Sequence, residues 1–347
     1  MRTLAAALVL VAAVACTNDG EPEPTSAPTP TASATREPIG GTLGFTTARQ
    51  VRLALPDGTV RTLAGQAPEA DSIAWTGDGR YVGWFQQAPG GGSALVVHEP
   101  ATSRTATWEE PNLSTEGLLG TETGFVTTYR PAGKRSMLVV ADPAKMLAGG
   151  KPRVVPLRLR AGALLTARGP VLVEEPKPGA AFAGGPSTVY ELTTDGRATP
   201  FFANPRDYPV HHAAVTTDGR RVVHSAGDRI NRDRTREWVV VRDLAAKREL
   251  PIESPVRRRA EPAVLSIVTG ADGRIVATLA YLGPQGEDVA SEAYALVDDG
   301  WRHVAADARW AASGPDERLA VITRDDQLQI GGDVFAEGVQ AAAWAPA

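Results

Sequence analysis

The sequence has little cysteine, lysine or histidine, and only one apolar run longer than a strand. Each shortage excludes something. One cysteine, Cys16, among 347 residues rules out an intramolecular disulfide framework, the commonest use of cysteine in an exported chain. Five lysines stand against 31 arginines in a chain rich in alanine and glycine; this is the mark of a biased coding composition, and no partner is read from it. The net charge of −4 gives the whole chain no pull toward nucleic acid or an anionic surface, so binding to either needs a local patch. The five histidines (98, 211, 212, 224 and 303) are joined by no G-x-S-x-G, H-E-x-x-H, Walker-type or dinucleotide glycine signature. The three glycines at 90–92 precede no helix and are loop flexibility rather than a phosphate cradle. No cofactor and no metal is expected.

The apolar run is Leu4 to Ala15, twelve residues after the single positive charge of Arg2. It is too short to span a bilayer and has the form of a cleavable signal over residues 1–15. Its end, Ala13-Val14-Ala15-Cys16, resembles the lipobox of bacterial lipoprotein precursors, with Ala13 where leucine is usual. That resemblance implies that Cys16 becomes the lipid-modified first residue of the mature chain, anchored on the extracytoplasmic face of the cell membrane. An ordinary secretory signal that happens to hold a cysteine is the alternative. From residue 16 to 40 the chain is dominated by Pro, Thr, Ser and Glu, and from Thr17 to Pro38 it has no aliphatic side chain larger than alanine. Such a segment cannot offset the entropy of ordering and is expected to be a disordered tether, on the order of 70 Å long if fully polyproline II.

Residues 41–347 carry an internal repeat: apolar strand, Asp-Gly turn, arginine, second apolar strand. The clearest copies are SIAWTGDGRYVGWF (72–85), AAVTTDGRRVVHS (213–225), LSIVTGADGRIVATL (265–279) and RWAASGPDERLAVIT (309–323). Asp-Gly between alternating apolar runs is a hairpin signal, read here as a tight two-residue turn. Aligning the turns gives a phase of about 45 residues with four short strands each, the period of propeller blades, and no segment sustains a helical period. The blades fall at 41–65 with 339–347, then 72–110, 116–159, 162–202, 212–252, 263–306 and 308–338. The fold expected is therefore all-β, a seven-bladed β-propeller closed by strands from both termini, so that the last nine residues complete the first blade.

WTGDGRYVGW, SGPDERLAV and the terminal WAP resemble the W-S-P-D-G-[RK]-x-[IVL]-[AV] repeat of TolB-type propellers. The likeness implies the fold over most of residues 41–347. The tryptophans of these strands, Trp75, Trp84, Trp310 and Trp344, are expected in the packing between blades.

A four-stranded blade places its first-to-second and third-to-fourth turns on one face, and its second-to-third and blade-to-blade connections on the other. The first set is short here. The second includes the long loops 86–93, 175–187, 226–237 and 282–292, and binding residues concentrate on such loops. Seven arginines are expected to share one sector of that rim: Arg229, Arg232, Arg234 and Arg236 in blade 5, and Arg257, Arg258 and Arg259 in the connection to blade 6. Arginine forks suit phosphate and carboxylate, so an anionic partner such as headgroups, a wall polymer or an acidic protein surface is one reading, and a solvated loop is the plainer one. A hairpin could bring His212 and His224 near each other as metal ligands, but strand and hairpin histidines are more often packing or surface residues, which is the plainer reading. Nucleic acid is not expected as a partner. The functional expectation is a lipid-anchored, non-enzymatic binding or scaffold propeller for a protein or envelope polymer. The alternative is a propeller hydrolase or lyase at the channel mouth, which needs carboxylates, histidines or asparagines converging on the innermost strands.

Overall fold

The computed structural model describes residues 37–64, 68–89, 91–110, 113, 117–129, 136–159, 164–166, 169–177, 186–230, 235–255, 261–283 and 288–346. Seven antiparallel sheets succeed one another as the blades of a ring. Blade 1 runs, from the channel outward, Val339–Trp344, Leu43–Thr47, Val51–Ala54 and Val60–Ala64, so the C-terminal strand is innermost and pairs in register with the first one, Leu43 opposite Trp344. Blade 2 spans Pro68–Trp75 to Arg104–Glu110 and blade 3 Leu119–Gly120 to Arg153–Pro156. Blade 4 holds Val171–Pro176, Ser187–Leu192 and Ala198–Asn204; blade 5 Ala213–Val215, Arg221–Arg229, Thr235–Asp243 and Arg248–Glu249. Blade 6 runs Glu261–Thr269, Ile275–Leu282, Asp288–Val297 and Gly300–Ala306, and blade 7 runs Ala308–Ser313 to Asp333–Ala336.

The burial pattern follows from blades stacking face to face. A middle strand is covered on both sides, so Ser93–Glu99 is buried at every position. An outermost strand is half covered, so Arg104–Glu110 is exposed apart from partly buried Ala106, Trp108 and Glu110. Phe45, Phe85 and Phe125 are fully buried between blades, each contributing roughly 2–3 kcal/mol of transfer free energy. Trp75, Trp84 and Trp344 are buried, and Trp310 is partly buried against the same cluster as Trp344. Two of the indoles also fasten the ring: Trp75 Nε1 donates to the Ala343 carbonyl at 2.9 Å and Trp344 Nε1 to Ala312 at 3.2 Å, so the C-terminal strand is held from blade 2 and blade 7 alike. Arg309 of blade 7 adds hydrogen bonds to the Val339 and Gln340 carbonyls.

Two local expectations are corrected. The Asp-Gly turns at Asp78 and Asp272 are four- and three-residue loops, not two-residue ones: Thr76 N bonds Tyr81 O, and Gly270 N bonds Arg274 O. Only the glycine needs positive φ, as at Gly79 and Gly273, while the aspartate accepts an N–H two residues on, Arg80 at 3.1 Å and Arg220 at 3.0 Å. A threonine hydroxyl two places before the aspartate bonds its carboxylate at Asp78 and Asp218, which supplies the turn's rigidity where the repeat lacks its proline. Blade 4 has no full innermost strand among the described residues; Leu164 makes a single bridge to Val173. The fold is all-β as expected, apart from one short helix among the described residues: Pro143–Leu147, started by Asp142 as N-cap and proline in the first turn, with the Leu147 carbonyl accepting from Arg104 of blade 2.

Candidate functional site

Strand length singles out one sector of the long-loop rim. The second and third strands number nine and nine residues in blade 5 and eight and ten in blade 6, against five and four in blade 1 and five and three in blade 7. In blade 5 the innermost strand pairs only with Val222 to His224, and the hairpin continues to Arg229 opposite Thr235. At 3.3–3.4 Å per residue that continuation is roughly 17 Å. Ile230 at its tip is 50% exposed, and Val289, at the corresponding tip of blade 6, is 56% exposed.

The base of this ridge is a polar network that joins blades 4, 5 and 6. Glu174, buried on the second strand of blade 4, accepts from the Ser187 hydroxyl and from Val210 N at 2.8 Å, at the entrance to blade 5. Asn204 Nδ2 donates to the Ser187 hydroxyl and to the Tyr208 carbonyl. Glu237, buried on the third strand of blade 5, accepts from Val264 N of blade 6 at 2.8 Å and from the Tyr208 phenol. The Ser225 hydroxyl accepts from both His211 N and His212 N. Tyr208 lies against Gly227, where a Cβ would come within 2.9 Å of the ring, and its ring meets His211 edge-on at 5.1 Å.

Electrostatics agrees with this geometry. Burial pushes the Glu174 carboxyl above the ordinary range, opposed by its hydrogen bonds from Ser187 and Val210. Tyr208 is raised by burial and by the Glu237 carboxylate, with Arg229 pulling the other way. His212 is lowered to about 4, by burial first and by neighbouring His211 second. The bonded oxygens of Glu174 and Glu237 are committed to the backbone of the next blade, on second and third strands rather than innermost ones. That is the arrangement of a clamp between blades, not of an acid and base facing a substrate.

His212 and His224 are not brought together. The register sets Ala213 opposite His224, so the two side chains leave opposite faces of the blade. His224 turns toward blade 4, its ring 4.6 Å from Phe202, with Nδ1 bonded to the Ser225 carbonyl and Nε2 buried without a partner. His212 turns toward Val264 of blade 6. Among the described residues no group of three or more His, Cys, Asp or Glu could hold a metal.

Of the seven arginines, Arg229 and Arg236 are described. Arg229 faces Thr235 and Arg236 faces Asp228 in the ladder, so the two occupy opposite faces of the hairpin, both exposed. Arg232, Arg234, Arg257, Arg258, Arg259 and Cys16 lie outside the described residues. The clamp residues Glu174, Tyr208 and Glu237 were not singled out from sequence; the signal available for the two glutamates was an acid inside an otherwise apolar strand, as in VLVEEP and TREWVVV.

Comparison with known proteins bears on the fold alone. No family model matches the chain, and no curated protein matches it. Among solved structures it is similar to the β-propeller domain of the Trilobed protease from Pyrococcus furiosus (TM-score 0.57, 14% identity, 83% of this chain and 87% of that one). It is similar also to a putative 6-phosphogluconolactonase from Bacteroides fragilis (TM-score 0.52, 11% identity, 88% and 98%). TolB from Acinetobacter baumannii matches at TM-score 0.50 and 12% identity, over 90% of this chain and 68% of that one. The chain has the fold of a seven-bladed β-propeller, which these solved structures share with it.

Proposed function

We propose that this chain is a lipid-anchored extracytoplasmic protein whose propeller binds or scaffolds a protein or anionic envelope polymer at the long-loop rim of blades 5 and 6. The observation that carries the binding reading is the raised pair of hairpins, with exposed Ile230 and Val289 at their tips and Arg229 and Arg236 beside them, standing on a base rigidified by the Glu174 and Glu237 clamps. Exposed aliphatics flanked by arginines on a rigid rim are a composition suited to an interface. The anchor rests on the resemblance of Ala13 to Cys16 to a lipobox, and an envelope location agrees with the likeness to TolB. Among the described residues no helix is long and apolar enough to cross a membrane.

The test of the rim is a pull-down from detergent-solubilised membranes with wild type and with Arg232, Arg234, Arg257, Arg258 and Arg259 all changed to Ser. Capture by wild type alone supports the rim; equal capture, or none, contradicts it. The anchor is tested separately: Cys16→Ser should move the protein from the membrane to the soluble fraction, and an unchanged distribution would refute lipidation.

A further inference from the structure

The opposite face holds a cavity that the rim reading does not use. It opens between blades 5 and 6 among three tight turns, Thr216 to Arg221, Gly270 to Ile275 and Leu296 to Asp299, with a volume of about 610 Å³. Its walls carry Arg221, Arg274, Asp218, Asp298 and Asp299, and half-buried Leu296 gives it some aliphatic surface, with buried Ile275 behind.

The two arginines are held in place from one edge each. Arg221 Nη1 pairs with Asp299 at 2.8 Å and bonds the Asp298 carbonyl at 3.3 Å; Arg274 pairs through Nη2 with Glu317 of blade 7 at 3.2 Å and through Nε with Asp272 at 3.6 Å. Their side chains are 33% and 25% exposed. Nε and Nη2 of Arg221 and Nη1 of Arg274 make no hydrogen bond among the described residues, so fixed donors remain available at the cavity. Acceptors stand beside them. Asp298 is exposed and its carboxylate has no described partner, and Asp218 Oδ1 is taken up within its own turn by Thr216 and Arg220 N, with Oδ2 only 3.9 Å from Arg220. The hydroxyl of exposed Thr217 can act either way.

We propose that this cavity binds an uncharged saccharide. Hydroxyl groups are donors and acceptors at once, so a sugar ring satisfies alternating guanidinium and carboxylate groups that neither a purely anionic nor a purely cationic ligand can satisfy. Its C–H face packs on half-buried Leu296, and the volume lies within the range of small-molecule sites. The five wall charges sum to −1 with two arginines and three aspartates, and paired Asp272 and Glu317 add further negative charge, which disfavours a sugar acid.

The experiment measures binding of maltotriose, tri-N-acetylchitotriose and a galacturonate trimer to the full chain by calorimetry and saturation-transfer NMR. Three proteins are compared: wild type, Arg221→Ala, and Thr217→Arg, which places a large side chain at the mouth from an exposed turn position and leaves the ion pairs intact. At least one neutral trimer should bind wild type in the millimolar range or tighter, and both variants should weaken it at least tenfold. If Arg221→Ala also lowers the melting temperature, Thr217→Arg decides. The proposal is overturned if neither neutral trimer binds, if binding survives Thr217→Arg, or if the galacturonate trimer binds as tightly as the neutral ones.

Discussion

Closure of the ring depends on one strand, and Trp344→Ala is the sharpest way to weaken it. Trp344 is 4% exposed and packed beside Ala312 and Phe45, its ring lies where a Cβ on Gly314 would be 3.0 Å away, and its Nε1 donates to the Ala312 carbonyl. Truncating a buried tryptophan costs about 3–5 kcal/mol in transfer and cavity terms. Stranding the Ala312 carbonyl adds about 1 kcal/mol. The sum, about 4–6 kcal/mol, is comparable with the whole stability of a weakly stable domain. Equilibrium urea unfolding followed by tryptophan fluorescence and far-UV circular dichroism should show the midpoint falling steeply, and deletion of residues 339–347 should abolish cooperative unfolding. A Trp344→Ala change below about 1 kcal/mol, or a cooperative transition retained after the deletion, would refute the argument that the C-terminal strand closes the ring.

Further outcomes are expected elsewhere. Thr278 is fully buried in blade 6 with an unpartnered hydroxyl, so near-isosteric Thr278→Val should raise stability by about 1 kcal/mol in urea titrations; a loss would mean that the hydroxyl is satisfied in solution. Glu317 holds φ +67° where other turns have glycine, and Glu317→Gly should gain about 1 kcal/mol less the exposed ion pair with Arg274; a large loss would show that the pair, not the backbone, governs this turn. His224 is depressed to about 4 by burial. A base with a lowered folded pKa adds stability that is full above its unfolded value near 6.5 and is lost as pH falls toward 4, here about 3 kcal/mol. Melting temperatures from pH 7 to pH 4 should therefore fall less in His224→Phe than in wild type, and parallel curves would contradict the assignment.

The blade count and the shared first blade were legible because each repeat carries its own period-two pattern and turn, as at 72–85 and 309–323, and because the two ends lack complementary strands. What the sequence hid was of two kinds. Local backbone geometry is set by side-chain hydrogen bonds that composition does not show: Asp-Gly was read as a two-residue turn, whereas the Asp78 carboxylate organises a longer loop with Thr76 and Arg80 N. The clamp residues were hidden because Glu174 and Val210, or Glu237 and Val264, are 36 and 27 residues apart and meet only when adjacent blades pack. The alternative of a His212 and His224 pair is excluded by parity, since the hairpin register places them on opposite faces.

The central claim, that partners engage the rim at blades 5 and 6, is tested most directly by site-specific photocrosslinking in intact membranes. A photoreactive residue replaces Ile230 or Val289 at the hairpin tips, or Asp195 in an exposed turn on the opposite face. The account predicts a discrete crosslinked species from positions 230 and 289 and none from 195; the same species from 195, or none from either tip, would contradict it.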